Sequence, residues 1–419
     1  MIQTVRGVHD LLPGETTLWQ FLESEALSIF RRYGFEEIRT PLFEKTELFA
    51  RAVGATTDIV EKEMYTFADR GGDSLSLRPE GTASVVRAFV QQSMHRHLPW
   101  KVWYRGPMFR YERPQKGRQR QFHQIGCELF GPEGPLADAE LMAMAMHYLT
   151  GIGLKDVLVL EINSLGCLTC RAPYRDLLIA ALRTSAAHLC DDCRNRLERN
   201  PLRVLDCKRE SCRATITRAP IMLDHLCPGC HTHFASLKDH LAGLGIAHQV
   251  NPLMVRGLDY YNRTAFEITA VGLGAQNAVA AGGRYDGLVA QMGGTATPAI
   301  GFAMGLERLA LLLDGENRHT LPMDIYLVTL GDAAEQASLK LADTLRKAGL
   351  SVELNLGGGS LKSQMKRAGR SQARYAVLIG DSELANNSVV VKDMLQSQQR
   401  EIPIPETVNH MITLCRTSP

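Results

Sequence analysis

The stretch KVWYRGPMFRYERPQKGRQRQFHQIGCELFG, residues 101–131, decides which fold this chain can adopt. Two apolar-rich segments flank a polar, glycine-containing loop at 113–119, which is the pattern of two antiparallel strands joined by a hairpin. From Arg110 to Arg120 the chain carries five Lys/Arg and one Glu. So much local positive charge on a surface loop predicts contact with an anion, because binding residues are commonly found on loops.

The composition is that of an ordinary globular chain. Its 419 residues are 45% hydrophobic and 22% charged, and the formal net charge is only +2, which argues against a general nucleic-acid coat protein. A chain of this length is expected to form two or three domains. No apolar run reaches the length of a transmembrane helix, and the N-terminus lacks signal-peptide features, so a cytoplasmic location with no membrane contact is expected.

Three segments of different character follow one another along the sequence. Residues 1–320 mix helical and strand patterns, and a Cys-rich insertion at 166–240 holds eight of the ten cysteines. Residues 322–419 alternate strands and helices, as in DIYLVTL (324–330) and SLKSQMKRAGR (360–370). This alternation predicts a small, separate α/β domain at the end of the chain.

Arg110 stands at the end of the first hairpin strand. An Arg on a rigid strand suits a phosphate clamp, since its planar guanidinium pairs two oxygens, and the alternative is a surface salt bridge with Glu112. The stretch RPEGT (78–82) also allows two interpretations. Glu80 and Thr82 can bind an amine, or Thr82 can cap the helix that follows.

Two further stretches place polar side chains beside small residues. In a strand, Gln124 and Glu128 of QIGCE share one face and Gly126 leaves room between them, which is pocket geometry; a solvent-facing strand is the alternative. In GFAMGLER (301–308), a helix is expected from about the first residue, and its small residues allow close packing on a sheet. Arg308 then either binds a ligand or lies on the surface of that helix.

Together these motifs resemble the class II aminoacyl-tRNA synthetases. RYGFEEIRTPLFE (32–44) is similar to motif 1, FRYE with the basic loop and RQRQF to motif 2, and GFAMGLERL to motif 3. RGLDYY (256–261) and AAGGRYDGL (280–288) resemble the two histidine-specific signatures of the histidyl-tRNA synthetase family. The resemblance covers nearly the whole chain. It implies an α+β class II catalytic domain, with an antiparallel sheet and flanking helices, then an α/β anticodon-binding domain; motif 1 implies a homodimer.

The resemblance also implies a two-step reaction. The carboxylate of L-histidine attacks the α-phosphorus of ATP to give histidyl-adenylate, and the histidyl group then passes to the 3′ end of tRNA(His). Arg110 is expected to contact the α-phosphate and Arg308 the γ-phosphate. Arg256 is expected near the α-phosphate and the substrate carboxylate, so Arg110 and Arg256 are the catalytic candidates. Mg²⁺ is expected to accompany ATP on its outer phosphates.

The amino-acid pocket follows from the same resemblance. Glu128 and Tyr261 are expected to hydrogen-bond the imidazole, because a carboxylate and a phenol satisfy its two nitrogens. Glu80, Thr82 and Gln124 are expected around the amino and carboxylate end of the histidine substrate, and Tyr260 is expected beside Tyr261. The six expected histidine-binding residues are Glu80, Thr82, Gln124, Glu128, Tyr260 and Tyr261.

Basic segments in two places are expected to contact tRNA. The competing interpretation of the hairpin loop is that it only closes over ATP. In the C-terminal domain, residues 362–374 carry five Lys/Arg and no acid, which predicts a tRNA contact or, alternatively, a solvated helix face. The loop side chains expected to face the acceptor end of tRNA are Arg113, Gln115, Lys116, Arg118 and Arg120.

Cysteine spacing in the insertion indicates metal before disulfides, because a reducing compartment disfavours disulfides. Two CxxC pairs can form a tetrahedral zinc site, with His231 and His233 as substitute ligands; the alternative is that the cysteines remain without a metal. The pairing predicted for zinc joins Cys190/Cys193 to Cys227/Cys230. The remaining cysteines of the insertion are Cys167, Cys170, Cys207 and Cys212.

The main alternative belongs to a different functional class. Some relatives of this family are non-catalytic, histidine-sensing regulatory subunits of ATP phosphoribosyltransferase, which usually lack the anticodon domain and lose catalytic residues. The presence of Arg110, Arg256 and Arg308, together with the tail from 322 to 419, favours the enzyme. A zinc-dependent RNA-binding protein is a third interpretation, and it would leave those arginines unexplained.

Overall fold

The chain divides into two compact units, Met1–Asn317 and Arg318–Pro419. The domain boundary expected between 320 and 322 lies outside the described residues. The computed structural model describes residues 2–54, 57–273, 277–313 and 323–417.

Strands and helices of the first unit are interspersed along the chain. The strands are β1 Glu36–Glu37, β2 Phe43–Lys45, β3 Thr66–Ala68, β4 Ser74–Leu77, β5 Trp100–Phe109, β6 Gln121–Phe130, β7 Leu158–Ser164, β8 His248–Val250, β9 Asn262–Ala270, β10 Ala278–Arg284 and β11 Ala299–Gly305. The helices are α1 Glu15–Arg32, α2 Thr46–Val53, α3 Thr82–Gln91, α4 Pro135–Gly151, α5 Leu168–Arg183, α6 Asp191–Arg199, α7 Glu210–Thr217, α8 Pro228–Gly243, α9 Leu288–Gln291 and α10 Leu306–Leu313.

The large sheet of this unit is mainly antiparallel. Its strand order is β1-β5-β6-β11-β10-β9-β7-β8, with parallel pairing at its two outer edges, β1 with β5 and β7 with β8. The hairpin expected from the opening stretch is formed by β5 and β6, which place Tyr104 opposite Gly126 and Val102 opposite Glu128. The expected fold class, an antiparallel sheet with flanking helices, is confirmed. A separate small sheet has the order β2-β4-β3.

Side chains of the sheet alternate between two apolar layers, as the two-residue period of a strand requires. Trp103 contributes to the layer that α1 and α4 complete with Phe30 and Tyr148. Its neighbour Tyr104 contributes to the opposite layer, together with Phe89 of α3. This second layer borders the candidate site described below.

The segment that resembles motif 1 forms the helix and the strands that its sequence pattern predicts. Apolar residues at helical spacing in 18–35 predict a helix that ends near Gly34. Helix α1 begins three residues earlier, at Glu15, and ends at Arg32. Gly34 follows with φ +77°, a conformation that favours glycine and terminates the helix. Residues 36–44 have a strand pattern interrupted by Pro41, and they form the two short strands β1 and β2 on either side of it.

The helix expected from about residue 301 is wrong in its first part. Residues Ala299–Gly305 form β11, which lies between β6 and β10, and the helix begins only at Leu306. A short apolar run in the middle of a sheet has no alternation to distinguish it from a buried helix. The small residues therefore serve strand packing rather than helix packing.

The insertion contains four α-helices, α5 to α8. Amphipathic patterns at 173–183 and 192–199 predict two of them, and they correspond to the longer α5 and to α6. The predicted cysteine pairing is wrong, because Cys190 and Cys193 do not lie with Cys227 and Cys230. The two observed clusters are Cys167, Cys170, Cys227 and Cys230, and Cys190, Cys193, Cys207 and Cys212.

The physical reason for this arrangement is the path of the chain. Cys167 and Cys227 stand at the beginnings of α5 and α8, the first and last helices of the insertion. The insertion leaves and rejoins the rest of the first unit at one place, so its two ends meet. His233 is not a member of either cluster, because its Nε2 lies 2.8 Å from the Asp138 carboxylate.

The second unit has its own sheet and core. Its elements are β12 Ile325–Thr329, α11 Asp332–Lys347, β13 Val352–Leu354, α12 Leu361–Arg370, β14 Tyr375–Ile379, α13 Asp381–Ala385, β15 Ser388–Asp393, β16 Gln399–Pro403 and α14 Ile404–Thr417. Its sheet has the order β13-β12-β14-β15-β16, parallel across the first three strands and antiparallel beyond them. The alternation in the sequence from DIYLVTL (324–330) to SVVVKDM (388–394) predicts four strands and two helices, which are present as β12 to β15 with α11 and α12. It does not predict α13, β16 or α14. Across the described ranges of both units, no helix is long and apolar enough to cross a membrane.

Candidate active site

A cavity of about 400 Å³ opens beside strands β5, β6, β10 and β11 of the first unit. It brings together residues that are widely separated in the sequence. Eight of the residues predicted to bind histidine or ATP line it: Glu80, Thr82, Arg110, Gln124, Arg256, Tyr260, Tyr261 and Arg308. Glu128 lies directly behind this lining, hydrogen-bonded to Thr82.

Glu80 is fixed by the helix that follows it. Its two carboxylate oxygens accept the backbone N–H groups of Thr82 and Ala83, both at 2.8 Å, at the start of α3. The capping role considered as the alternative for Thr82 is thus taken by Glu80. Burial raises the pKa of the Glu80 carboxyl, while these two N–H donors and the nearby Arg110 lower it.

Glu128 is held from both sides. The Thr82 hydroxyl donates to Oε1 at 2.6 Å, and the Tyr285 hydroxyl donates to Oε2 at 2.5 Å. Burial raises the pKa of Glu128 to about 8, against the effect of these two donors. Gly301 on β11 makes room for this carboxyl, because a Cβ there would lie 1.7 Å from Oε2.

The space above Gly126 is filled by protein. The Tyr104 ring from the neighbouring strand packs there, and a Cβ on Gly126 would lie 2.3 Å from it. Gln124 and Glu128 do share a face, as expected, but the gap between them admits Tyr104 rather than a ligand. The buried atoms Tyr104 Oη and Gln124 Oε1 have no hydrogen-bond partner among the described residues, and both side chains line the cavity.

The group formed by Glu80, Thr82, Tyr104, Glu128 and Tyr285 is called the pocket floor. Sequence reasoning missed two of its members. Tyr285 lay within the quoted AAGGRYDGL signature without a role, and Tyr104 lay in the quoted hairpin. Only the pairing of β5 with β6 brings Tyr104 over Gly126.

Arg256 and two tyrosines form one wall of the cavity. Tyr260 and Tyr261 are both less than 9% exposed, with ring centroids 4.6 Å apart. The Arg256 guanidinium lies 5.4 Å from the centre of the Tyr261 ring and forms an ion pair with Glu267. Its buried Nε has no hydrogen-bond partner among the described residues. Glu267, which sequence reasoning missed, therefore sets the position of Arg256.

Arg110 is anchored in the same cavity. Its Nε donates to the carbonyl oxygen of Pro79 at 2.9 Å, and its guanidinium lies 5.3 Å from the Phe122 ring centre. The salt bridge considered as the alternative is loose, with 3.8 Å between Arg110 Nη1 and Glu112 Oε1. Glu112 is closer to Arg118, at 2.7 Å. Arg110 is thus a partly buried cation that faces the cavity rather than a surface residue.

Arg308 completes the set of cations from the opposite side. Its Nη1 donates to the Ala278 carbonyl at 2.5 Å. Burial lowers the pKa of Arg308, and the positive charges of Arg118 and Arg110 lower it further. The preceding Glu307 accepts the His123 backbone N–H at 2.8 Å, which joins α10 to β6. Crowded cations of this kind favour an anionic ligand.

The basic loop, residues 113–119, forms a tight turn over the cavity entrance. Gln115 and Arg118 exchange backbone hydrogen bonds of 3.0 and 2.9 Å around Lys116 and Gly117. Gly117, Arg118 and Gln119 line the cavity. Arg113, Gln115 and Lys116 are exposed and are not part of the lining in the described structure.

The insertion also contributes to the cavity. Asp206 and Lys208 line it, although they lie in the Cys-rich segment. No local pattern in the sequence predicts this contact, because the path of an inserted segment depends on its folding against the rest of the unit.

Two family models match the sequence of the chain. The model described as Histidyl-tRNA synthetase matches residues 7–309, and the model described as Anticodon binding domain matches residues 324–414. The first match alone covers more than half of the chain.

Relatives match over almost the full length. A histidine--tRNA ligase of Syntrophotalea carbinolica is 51% identical over 405 residues, which are 96% of this chain and 96% of the relative. A histidine--tRNA ligase of Geobacter sulfurreducens is 50% identical over 415 residues, 99% and 100% of the two chains. The crystal structure of apo S. aureus histidyl-tRNA synthetase has a TM-score of 0.83 and 37% identity, and covers 98% of this chain and 100% of that one. The chain belongs to the histidyl-tRNA synthetase family.

Proposed function

We propose that this chain is a histidine–tRNA ligase, which activates L-histidine with ATP and transfers it to the 3′ end of tRNA(His). The observation that carries the proposal is the joining of three arginines and the pocket floor in one cavity. Arg110, Arg256 and Arg308 all line it. A histidine-sensing regulatory subunit would need the pocket floor but would have no use for cations placed to hold a triphosphate.

The imidazole of the substrate is proposed to enter between the two wall tyrosines and reach Glu128. A neutral imidazole has one N–H donor and one acceptor nitrogen. An oxygen of the Glu128 carboxyl group accepts from the N–H, and a tyrosine hydroxyl donates to the other nitrogen. Burial raises the pKa values of Tyr260 and Tyr261, so both remain phenols at neutral pH and can donate. An amino acid that lacks either nitrogen leaves a buried polar group unpaired.

The amino group of histidine is proposed to lie on the side of the pocket floor that faces the open cavity. Glu80 faces it with a carboxylate that is already oriented by two N–H groups. The unpartnered Tyr104 Oη and Gln124 Oε1 supply additional polar atoms there. Buried polar atoms are normally hydrogen-bonded, so this pair is suited to a polar ligand.

The arginines are proposed to bind the nucleotide and stabilise developing charge. A carboxylate oxygen of histidine forms a bond to the α-phosphorus as the bond to pyrophosphate breaks, and pyrophosphate leaves with the electron pair. Arg110 and Arg256 stabilise negative charge at the α-phosphate, and Arg308 holds the γ-phosphate. In the second step the terminal ribose hydroxyl of tRNA attacks the histidyl carbonyl and AMP leaves.

Magnesium is proposed to accompany ATP rather than to occupy a site built by the protein. Two carboxylates at the cavity are engaged by arginines, Glu112 by Arg118 and Glu267 by Arg256. The ion commonly keeps water ligands and binds substrate phosphates, which fits these surroundings. It would neutralise charge on the outer phosphates.

tRNA(His) is the proposed macromolecular substrate, and two surfaces support this. The exposed Arg113, Gln115 and Lys116 stand at the cavity entrance, where the acceptor end must arrive. In the second unit, Lys362, Lys366 and Arg370 are exposed at four-residue spacing on α12, while the opposite face of the helix is buried. Such a basic stripe suits a phosphate backbone.

A homodimer in the cytoplasm is the proposed assembly and location. The motif 1 strand β1 is at the edge of the large sheet. Nearby apolar side chains, Leu27, Leu42 and Phe43, are 44–52% exposed, as a subunit interface requires. Cytoplasm is where a tRNA substrate is used in translation. Light scattering that gave a monomer mass across micromolar concentrations would contradict the dimer.

Zinc is the remaining proposed cofactor, and its place is the insertion. None of the cysteines in the described ranges lines the cavity, and the insertion cysteines gather in two clusters. Zinc in such surroundings stabilises a fold and takes no part in the reaction.

The experiment that tests the function is ATP–pyrophosphate exchange with purified protein and each standard amino acid. Exchange with histidine alone is expected, followed by charging of tRNA(His). Histidine binding without exchange for any amino acid would instead indicate the regulatory-subunit function.

A further inference from the structure

The insertion contains two separate groups of four cysteines rather than one. We infer that each group holds one zinc ion, and that the two ions have different tasks. The inference rests on the proposal that the insertion contains zinc, and adds the number, the ligands and the consequence for the active site. The root cluster is Cys167, Cys170, Cys227 and Cys230, and the tip cluster is Cys190, Cys193, Cys207 and Cys212.

Sulfur spacing in the root cluster fits a tetrahedral zinc site. Cys167 Sγ lies 3.7 Å from Cys170 Sγ and 3.9 Å from Cys227 Sγ, and the four sulfurs all lie within 4.8 Å of one another. Zn–S bonds of about 2.3 Å at tetrahedral angles separate neighbouring sulfurs by about 3.8 Å. The observed spacing is far too long for disulfides, whose sulfurs are about 2.05 Å apart.

The tip cluster has the same construction. Cys190 Sγ lies 4.0 Å from Cys207 Sγ, and the four sulfurs again lie within 4.8 Å of one another. In each cluster a backbone N–H donates to a sulfur: Cys190 N to Cys212 Sγ at 3.2 Å, and Cys227 N to Cys170 Sγ at 3.1 Å. Such donors stabilise metal-bound thiolates.

Helix starts supply the thiolates in both clusters. Cys167, Cys190 and Cys227 each stand immediately before the first residue of a helix, and each CxxC partner lies in the first turn of that helix. The positive end of a helix favours a thiolate over a thiol. Each cluster combines two buried and two half-buried cysteines, so the sulfurs face one another rather than solvent.

The root ion is positioned to support the histidine pocket. It would join the beginnings of α5 and α8, the two ends of the insertion. On α5, Arg171 follows Cys170 directly and donates to the Tyr261 carbonyl at 2.9 Å. On α8, His233 contacts the buried Asp138 at 2.8 Å. A metal that fixes the two helix starts therefore also fixes the segment that carries Tyr261.

The tip ion is positioned to hold the insertion segment that reaches the cavity. Residues between Cys193 and Cys207 contact the catalytic unit through Asn200, whose Nδ2 donates to Asp259 at 2.8 Å. Asp206, adjacent to Cys207, lines the cavity. Cys207 and Cys212 lie on either side of Lys208, the last residue of the insertion that lines the cavity. An ion held by these cysteines would therefore fix this part of the segment.

The test begins with metal analysis of the full-length protein after dialysis into metal-free buffer. Two zinc ions per chain are expected, one for each cluster. Replacement by cobalt should give the intense thiolate-to-cobalt and d–d absorption of two tetrahedral sulfur sites. One zinc ion or none in the wild-type chain, or thiols that react as freely as in the unfolded chain, would overturn the inference.

Double variants assign the ions to their clusters. Cys167→Ser with Cys230→Ser, and separately Cys190→Ser with Cys207→Ser, should each lose one ion. Cys415→Ser, a free cysteine of the second unit, is the matched control and should keep both. A cluster variant that keeps two ions would show that its cluster is not a site. Histidine-dependent exchange by a zinc-free chain would overturn this inference alone, whereas two ions without exchange would overturn the proposed function alone.

Discussion

The pocket floor and the basic loop face the same cavity and are built in opposite ways. Every member of the pocket floor is at most 7% exposed, and most of its polar atoms are bonded within the protein. In the basic loop, Arg113, Gln115 and Lys116 are exposed, and the turn rather than burial sets their positions.

Under the proposed function, this difference would separate selection of the amino acid, by the pocket floor, from attraction of tRNA, by the basic loop. A buried polar group that finds no partner is costly, so the pocket floor can reject a wrong substrate strongly. Exposed charges act through a screened field and tolerate movement, so the loop can attract a polyanion without a fixed geometry. Changes in the pocket floor should therefore have large effects on adenylate formation, and changes in the loop should have small effects confined to tRNA.

The largest effect is expected from Gly301→Ala. The new Cβ would lie 1.7 Å from Glu128 Oε2, so the carboxyl must leave its position between Thr82 and Tyr285. Overpacking of this kind costs about 1–3 kcal/mol, and histidine-dependent exchange should fall by on the order of 100-fold.

Its control is Gly287→Ala, where an added Cβ meets nothing within 4 Å. ATP binding, measured by calorimetry, should survive in both variants. A Gly301→Ala protein with wild-type exchange would show that the tight contact at Glu128 is unimportant for histidine binding.

The second prediction concerns pH and stability. Burial raises the pKa of Glu128 from 4.5 to about 8. A group that binds its proton more tightly in the folded chain stabilises the fold at low pH, and this contribution is lost as the pH rises through that window. The free energy of unfolding should therefore fall by up to about 1.4 kcal/mol per pH unit between about pH 4.5 and about pH 8.

Urea unfolding followed by tryptophan fluorescence measures this dependence. All three tryptophans, Trp19, Trp100 and Trp103, lie in the first unit, so the signal reports that unit. Glu128→Gln should reduce the slope by the contribution of one proton, while Glu133→Gln, an exposed acid, should leave the wild-type slope. Glu80, whose pKa burial also raises, accounts for part of the slope that remains. Equal slopes in the two variants would contradict the assignment to Glu128.

The sequence alone predicts a site residue when the evidence lies within one continuous segment, and it does not when the residue reaches the site through distant parts of the chain. The shared face of Gln124 and Glu128 follows from the two-residue period of a strand and was predicted correctly. The roles of Tyr104 and Tyr285 depend on strand pairing, which brings residues from other segments over Gly126 and beside Glu128.

The same distinction between local and long-range evidence explains the wrong predictions for β11 and for the cysteine pairing. Strand β11 is buried in the middle of the sheet and has no alternating pattern, so it resembled the helix that follows it. The cysteine pairing depends on where the insertion leaves and returns, which spacing between CxxC motifs does not specify. The spacing of the CxxC motifs predicted a site of four cysteines, but not which cysteines lie together.

Arg171 lies outside both regions, and its variant measures how much the insertion supports the pocket. Arg171→Met removes a hydrogen bond to the Tyr261 carbonyl, and should raise KM for histidine roughly 10-fold with little change in kcat. Arg175→Met, an exposed position one turn further along α5, is the control. A matching rise in KM for both variants, or a fall in kcat alone, would argue against this positioning role.

The smallest effect is expected from the basic loop. Gln115→Ala with Lys116→Ala removes two exposed side chains and no contact with the cavity. Charging of tRNA should slow roughly fivefold at low salt, and the difference should shrink as salt rises, because exposed charges are screened. Pyrophosphate exchange should stay at the wild-type rate, and Lys155→Ala, another exposed lysine of this unit, should change neither step. If exchange and charging fell together, the loop would act on ATP, and the division between a selective floor and an attracting loop would not hold.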